Sequence, residues 1–158
     1  MIRKFNILHG ELEDEDEQYR RQGYAKRNVR VGDAVGGDLI GGTIYELEEG
    51  ERVCPYHYHH GVEEWLYVIA GEPTLRQPDG ERALRPGDVV CFLWGPEGAH
   101  TVHGPGRVLM LSANRWPSIS VYPDSDKVGA RPADWGTHDE DRLNFRREAA
   151  VEYWDREE

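Results

Sequence analysis

The chain has 158 residues and a formal net charge of −11, with 31% charged and 38% apolar residues. That length suits one domain, which can bury about 68–70% of its unfolded surface and so needs no disulfides. The acidic balance argues against unspecific attachment to nucleic acid or anionic lipid, and no apolar stretch approaches the roughly 18 residues of a membrane helix.

The start, MIRKFNILHGELEDEDE, turns acidic before any long apolar run, so no signal peptide is expected. With only Cys54 and Cys91, there is no disulfide framework. A reducing cytoplasm is the expected home, with both thiols as packing residues. Residues 1–28 are polar, and Glu11–Glu17 places six carboxylates in seven positions. They read as a solvated or mobile arm. Residues 29–113 then read as strands and turns. Leu39–Leu47, Arg52–His60, Glu64–Ala70, Thr74–Gln77, Glu81–Leu84, Val89–Trp94, Ala99–His103 and Arg107–Ala113 are the predicted strands. Eighteen glycines and nine prolines supply the turns. The fold class is all-β, a single sandwich or barrel without internal repeat. From Trp116 on, prolines, glycines and acids predict an irregular tail, with one short strand or helical turn within Asn144–Tyr153.

PYHYHHGVEEWLYVIAGEP, Pro55–Pro73, gathers metal-type ligands. On a strand, His57 and His59 share a face, with Cα atoms roughly 6.5–7 Å apart. On a helix the same pair would diverge. The turn His60–Glu63 is expected to return the chain as the antiparallel neighbour, setting Glu64 beside the histidines. Glu64, Leu66, Val68 and Ala70 would share one face; Trp65, Tyr67 and Ile69 the other. Gly71 would end the strand at positive φ. A fourth candidate, His100, follows the turn Pro96-x-Gly98. By parity His60 is a surface residue. Glu63 is the competing carboxylate, and His103 is assigned to solvent.

His57-x-His59, Glu64 and Gly71 resemble the first motif of the cupin superfamily. Gly87-Asp88, Pro96, Gly98 and His100 resemble the second. The longer stretches CPYHYHHGVEEWLYVIAGEPTLRQPDGERALRPGDVVCF, GPEGAH and VYPDSDKVG are similar to a group of stand-alone bacterial cupins. The resemblance implies a double-stranded β-helix, or jelly-roll, barrel over residues 29–122. Residues 1–28 would then be an N-terminal arm and 123–158 an irregular C-terminal extension. It also implies one divalent transition metal held by His57, His59, Glu64 and His100. Three histidines and one carboxylate suit Fe, Mn, Ni, Co, Cu or Zn. Three departures stand out. Gly50 to His57 leaves six residues rather than five. Gly87 to Pro96 leaves eight rather than about five. Gly104 stands where an asparagine is common. The first two suggest local bulges; the third removes a polar group.

The expected function is a small metalloenzyme acting on an oxygen-rich molecule, of dioxygenase or sugar-phosphate isomerase or epimerase type. Glu64 would be a ligand or a proton acceptor. The alternative is a non-catalytic module that binds a sugar or small acid around a structural metal. Arg76, Arg82, Arg85, Arg107 and Arg115 are candidate anchors for an anionic ligand. Tyr56, Tyr58, Trp65 and Tyr67 are expected to share the outer face, and a homodimer through them is expected.

Overall fold

The computed structural model describes residues 2–132 and 142–157. Its largest sheet has six antiparallel strands in the order β1 (Glu13–Asp14), β2 (Arg27–Val29), β3 (Ile40–Leu47), β10 (Gly106–Ala113), β5 (Glu64–Gly71) and β8 (Val89–Phe92). A second sheet runs β13 (Leu143–Arg146), β12 (Lys127–Arg131), β11 (Ser118–Tyr122), β4 (Tyr58–His60). A third runs β7 (Gly80–Ala83), β6 (Thr74–Gln77), β9 (Thr101–His103). One helical turn, α1 (Val31–Val35), leads into β3. The chain is therefore nearly all β, with the sheets of a jelly roll.

Period-two alternation decides what fills the interior. On β5, Leu66 and Val68 are fully buried in a cluster with Leu47, Leu75, Phe92, Val102 and Val108. Each such side chain contributes about 1.5–3 kcal/mol on burial. Tyr67 and Ile69 point the other way, into a second cluster with Leu12, Val31 and Ile44. Gly71 ends β5 at φ +79°, where an added Cβ would lie 2.7 Å from the Gly106 Cα. Only glycine suits both the turn and the close approach.

The N-terminal segment is not a free arm. Phe5, Ile7 and Leu12 pack on the outer side of the six-stranded sheet. Lys26 Nζ meets Glu15 Oε1 at 2.7 Å with both side chains largely enclosed, and Arg107 Nη2 donates to the Gly10 carbonyl at 2.8 Å. The acidic run hides one apolar anchor, Leu12, and that residue ties it down. This packing also takes apart the expected aromatic face. Tyr67 lies under the N-terminal segment, Tyr58 is buried with Ala99 and Val121, and Arg76 covers the Tyr56 ring at 4.0 Å. Of the four, only Trp65 is exposed. The basis for a dimer through a shared aromatic face is therefore removed.

The predicted strand Arg52–His60 is shorter in the structure. Residues 53–56 bend around Pro55, leaving β4 and isolated bridges at Arg52 and His57. The tail beyond Trp116, predicted to be irregular, supplies three strands of the second sheet instead. Its 133–141 portion lies outside the described residues. β11 escapes a hydrophobic-pattern reading because Ser118 and Ser120 face inward and are buried, while Ile119 faces out and is 42% exposed. Cys91, expected in the core, is exposed on β8 opposite Trp65. Gly104 has no room for any side chain, because a Cβ there would overlap the Glu48 carbonyl. No described helix is long and apolar enough to cross a membrane.

Candidate metal centre

His57 and His59 do share a face, but Glu64 does not sit on the neighbouring strand. β4 pairs with β11, while β5 pairs with β10 and β8 in the six-stranded sheet. The carboxylate therefore meets the histidines across the barrel interior rather than along one sheet. Gly61, at φ +78°, begins the crossing between the two sheets. His100 arrives from a third direction. Its backbone exchanges two hydrogen bonds with His57, at 2.8 and 3.1 Å. A 3-10 turn at Pro96–Gly98 delivers it there.

The four side chains converge. Glu64 Oε2 lies 3.1 Å from His59 Nε2, 3.5 Å from His100 Nε2 and 3.8 Å from His57 Nε2. His57 Nε2 and His59 Nε2 are 2.9 Å apart. His57, His59 and Glu64 together form a group able to hold a metal ion.

The tautomers follow from the outer partners. His57 Nδ1–H donates to the Pro55 carbonyl at 2.9 Å, and His100 Nδ1–H donates to the Gly98 carbonyl at 2.9 Å. A carbonyl only accepts, so the Nε2 of each neutral ring carries a bare lone pair aimed inward. His59 Nδ1 is held by Ser120 Oγ at 3.0 Å. His100 Nε2 and Glu64 Oε2 are buried without a hydrogen-bond partner, although His59 Nε2 approaches Glu64 Oε2 at 3.1 Å. Buried polar atoms are rarely left so. One proton on His59 Nε2 cannot satisfy the three acceptors around it, His57 Nε2, His100 Nε2 and Glu64 Oε2; a cation can serve all four atoms. The donor set thus fits a divalent transition metal, with the Pro55 and Gly98 carbonyls and the Ser120 hydroxyl fixing the rings from behind.

The walls are stiff and partly apolar. The Phe92 ring stacks on His100 at 3.7 Å between centroids, inclined 6°, and Tyr122 stacks on His57 at 5.7 Å. Burial pushes the Cys54 thiol up to about 12, so it stays protonated beside His57 Nδ1 at 3.5 Å. Burial also pushes His57 down to about 3, helped by the neighbouring His100 and His59. Burial lowers His100 as well. Burial alone would raise Glu64, but the adjacent His59 and the other two imidazoles hold it at about 2.

These shifts predict an acid response. A histidine lowered in the fold binds its proton more readily in the unfolded chain. Its stabilising effect is complete above about pH 6.5 and is lost as pH falls toward about 3. Glu64 acts only below its ordinary value of 4.5. Metal-free protein is therefore expected to lose on the order of 2–3 kcal/mol through His57 between pH 6.5 and 4.5. Urea midpoints at the two pH values measure this. In His57→Gln the difference should shrink by about that amount; an unchanged difference contradicts the assignment.

The other sequence candidates fall elsewhere. Glu63 is exposed and accepts the Trp65 indole N–H at 2.7 Å. His60 is exposed, as its parity predicts. His103 is half-buried rather than solvated, and lies in a bridge with Arg52. Arg76 is clamped by Asp124 at 2.6 and 2.9 Å, Arg82 by Asp79, and Arg107 lies between Glu46 and Gly10. Arg85 and Arg115 are exposed. Sequence reasoning missed Ser120, Tyr122, Cys54 and Phe92 as site walls. The alternation of SISVY could have flagged Ser120.

The cupin domain family matches residues 43–113. No curated protein matches the chain. Among solved structures, a candidate sugar phosphate isomerase from Acidithiobacillus ferrooxidans is 25% identical, with 85% of this chain and 84% of that one covered at a TM-score of 0.73. A sugar phosphate isomerase of the cupin superfamily from Silicibacter pomeroyi is 23% identical, covering 85% and 83%, at a TM-score of 0.71. The polyketide cyclase RemF from Streptomyces resistomycificus is 19% identical, covering 72% and 79%, at 0.51. The last two similarities establish fold alone.

Proposed function

We propose, from the premise that residues 43–113 form a cupin domain, that the protein is a metal-dependent enzyme acting on an oxygen-rich small molecule, of sugar-phosphate isomerase or epimerase type. The observation that carries this reading is the cluster of four converging ligand atoms, two of them buried without a partner. The Acidithiobacillus protein, matched over most of both chains, supports the substrate class. His57, His59, His100 and Glu64 would hold one divalent ion of Fe, Mn, Ni, Co, Cu or Zn. Such an ion polarises bound substrate oxygens and leaves open positions for them.

The chain's own residues supply the rest. Glu64 stays a carboxylate, able to ligate or to accept a proton. Cys54 stays a thiol and so is no nucleophile. Phe92 and Tyr122 keep the imidazoles in place by stacking. The two free thiols suit a cytoplasmic setting.

The test is metal content by plasma mass spectrometry on untagged protein beside His57→Ala/His59→Ala. About one ion per chain is expected, and its loss in the variant. Aldose–ketose interconversion of sugar phosphates is then followed with and without O2. Turnover that needs O2 would replace isomerase by dioxygenase. Thermal stabilisation by sugars without turnover would leave a binding module. No metal after reconstitution with Fe(II), Mn(II), Ni(II) and Zn(II) ends the metalloenzyme reading.

A further inference from the structure

The sheet that carries His59 continues away from the metal ligands, and its inner face changes character. His59 pairs with Ser120, and Ser120 with Gly129, so β4, β11 and β12 present those three residues on one side. The Ser120 Oγ contact to His59 confirms that this side faces the metal centre. Alternation then places Tyr122 inward on β11, and Lys127 and Arg131 inward on β12. On β13 Asn144 faces Gly129, and Arg142, just before the strand, follows the same alternation. Two contacts confirm the parity. A Cβ on Gly129 would sit 2.9 Å from Asn144 Oδ1 and 3.6 Å from the Tyr122 ring. Lys127 Nζ lies 4.3 Å from the Tyr122 ring centroid.

The charge on this face is unlike that of the molecule. The chain carries a net −11, yet the inward positions of β11, β12 and β13 among the described residues hold Lys127, Arg131, Arg142 and Arg146 and no acid. Lys127, Arg131 and Arg142 are half-buried. Burial and the neighbouring Arg142 guanidinium disfavour the charge on Arg131. Like charges side by side in a half-buried place disfavour one another and favour a bound anion. Both arginines keep further polar contacts of their own, so an incoming anion joins or replaces these.

We infer that the inner face of β11, β12 and the start of β13 is an oxyanion subsite, in which Lys127, Arg131 and Arg142 hold the phosphate of a phosphorylated sugar whose other end reaches the metal ligands. Strands lie about 4.8 Å apart, so β12 runs about 10 Å from β4. A five- or six-carbon sugar phosphate spans such a gap once the side chains reach inward. Between the two ends lie the Tyr122 ring and the Asn144 amide, packed over Gly129, and a bound sugar would rest against these two side chains. The inference rests on the proposed metalloenzyme reading for the position of the other end, but the anion contacts are separable from it.

The experiment measures binding of inorganic phosphate, glucose 6-phosphate, glucuronate and unphosphorylated glucose by calorimetry. It uses the full chain, metal-loaded and metal-stripped, in wild type, Arg131→Gln and Lys127→Gln, with metal content measured alongside. Glucose 6-phosphate should bind more tightly than glucose. Inorganic phosphate should still bind after metal removal. Arg131→Gln should weaken both by at least tenfold while metal content stays at the wild-type level. Lys127→Gln, on the rim, should weaken both by a few-fold and serves where Arg131→Gln does not fold. Glucuronate binding ahead of glucose 6-phosphate would overturn the phosphate assignment. Equal phosphate affinity in wild type and both variants, or no phosphate binding without metal, overturns the subsite. Wild-type protein that takes up no metal yet binds phosphate through Arg131 would sink the metalloenzyme reading and leave the subsite standing.

Discussion

Glu64→Gln is expected to lower metal affinity by a hundredfold or more, about 3 kcal/mol, and to take turnover with it. The substitution preserves shape and removes one negative charge. In the wild type that carboxylate is the acidic group among the three imidazoles, with Oε2 within 3.8 Å of each Nε2. A dication placed there without it keeps its full charge in a poorly hydrated interior. The metal-free variant gives up the contacts with the imidazoles that hold the carboxyl at about 2, so at neutral pH it is less stable than the wild type. The new amide N–H can donate to His100 Nε2, which has no partner in the wild type, and offsets part of that cost. The signature is therefore a split: metal and activity lost, the apo fold kept at a modestly lower melting temperature. Equilibrium competition with a chromophoric chelator gives the affinity, and calorimetry the melting. A variant that retains its metal and turns over would show that Glu64 is not a ligand. A variant that loses metal only by unfolding would show that its role is structural.

How much of this site could be read in advance depends on which physical signal carried it. His-x-His on a strand was legible, because alternation alone puts the two rings on one side. Glu64 was legible as a ligand type but not in its position. A hairpin reading made β5 the partner of β4, whereas Val62 is buried and the chain passes from one sheet to the other at Gly61. Loop sequences of this length do not tell a hairpin from a sheet-to-sheet crossing. The C-terminal strands were illegible for a different reason. Hydrophobic-in patterning fails where the inside is a polar site, and β11 buries serines while exposing Ile119. β12 turns the half-buried Arg131 inward in the same way, so its charge reads as tail composition. The acidic N-terminal run misled by its charge, since Leu12 is enough to dock it. Cys91 misled in the opposite sense: an apolar strand at the edge of a sheet has one face in water.

Gly98→Ala is expected to be the most damaging single methyl addition near the site. A Cβ on Gly98 would overlap the Leu93 carbonyl oxygen and come within 2.8 Å of the Leu93 carbonyl carbon and 3.1 Å of its nitrogen. All three are backbone atoms, so no rotamer change relieves the contact. The turn itself must move, and it is tied on both sides. Gly95 N–H donates to the His59 carbonyl at 2.7 Å, and Gly98 N–H donates to the Gly95 carbonyl at 3.0 Å. The Gly98 carbonyl is also the acceptor that fixes the His100 tautomer. Shifting it loosens the His100 ring, whose stack on Phe92 leaves little slack. The expected cost is on the order of 2–4 kcal/mol of stability, with metal affinity down at least tenfold. Gly61→Ala is the control. Gly61 has φ +78° but open space around its Cβ direction, so only backbone strain of about 1 kcal/mol is expected, without loss of metal. Denaturant midpoints and metal affinity for both variants decide the matter. Equal small costs in the two, with metal retained, would mean that the Pro96–Gly98 turn is not what holds His100 in place. A large cost confined to Gly98→Ala, with metal lost, would tie the ligand geometry to this one close backbone contact.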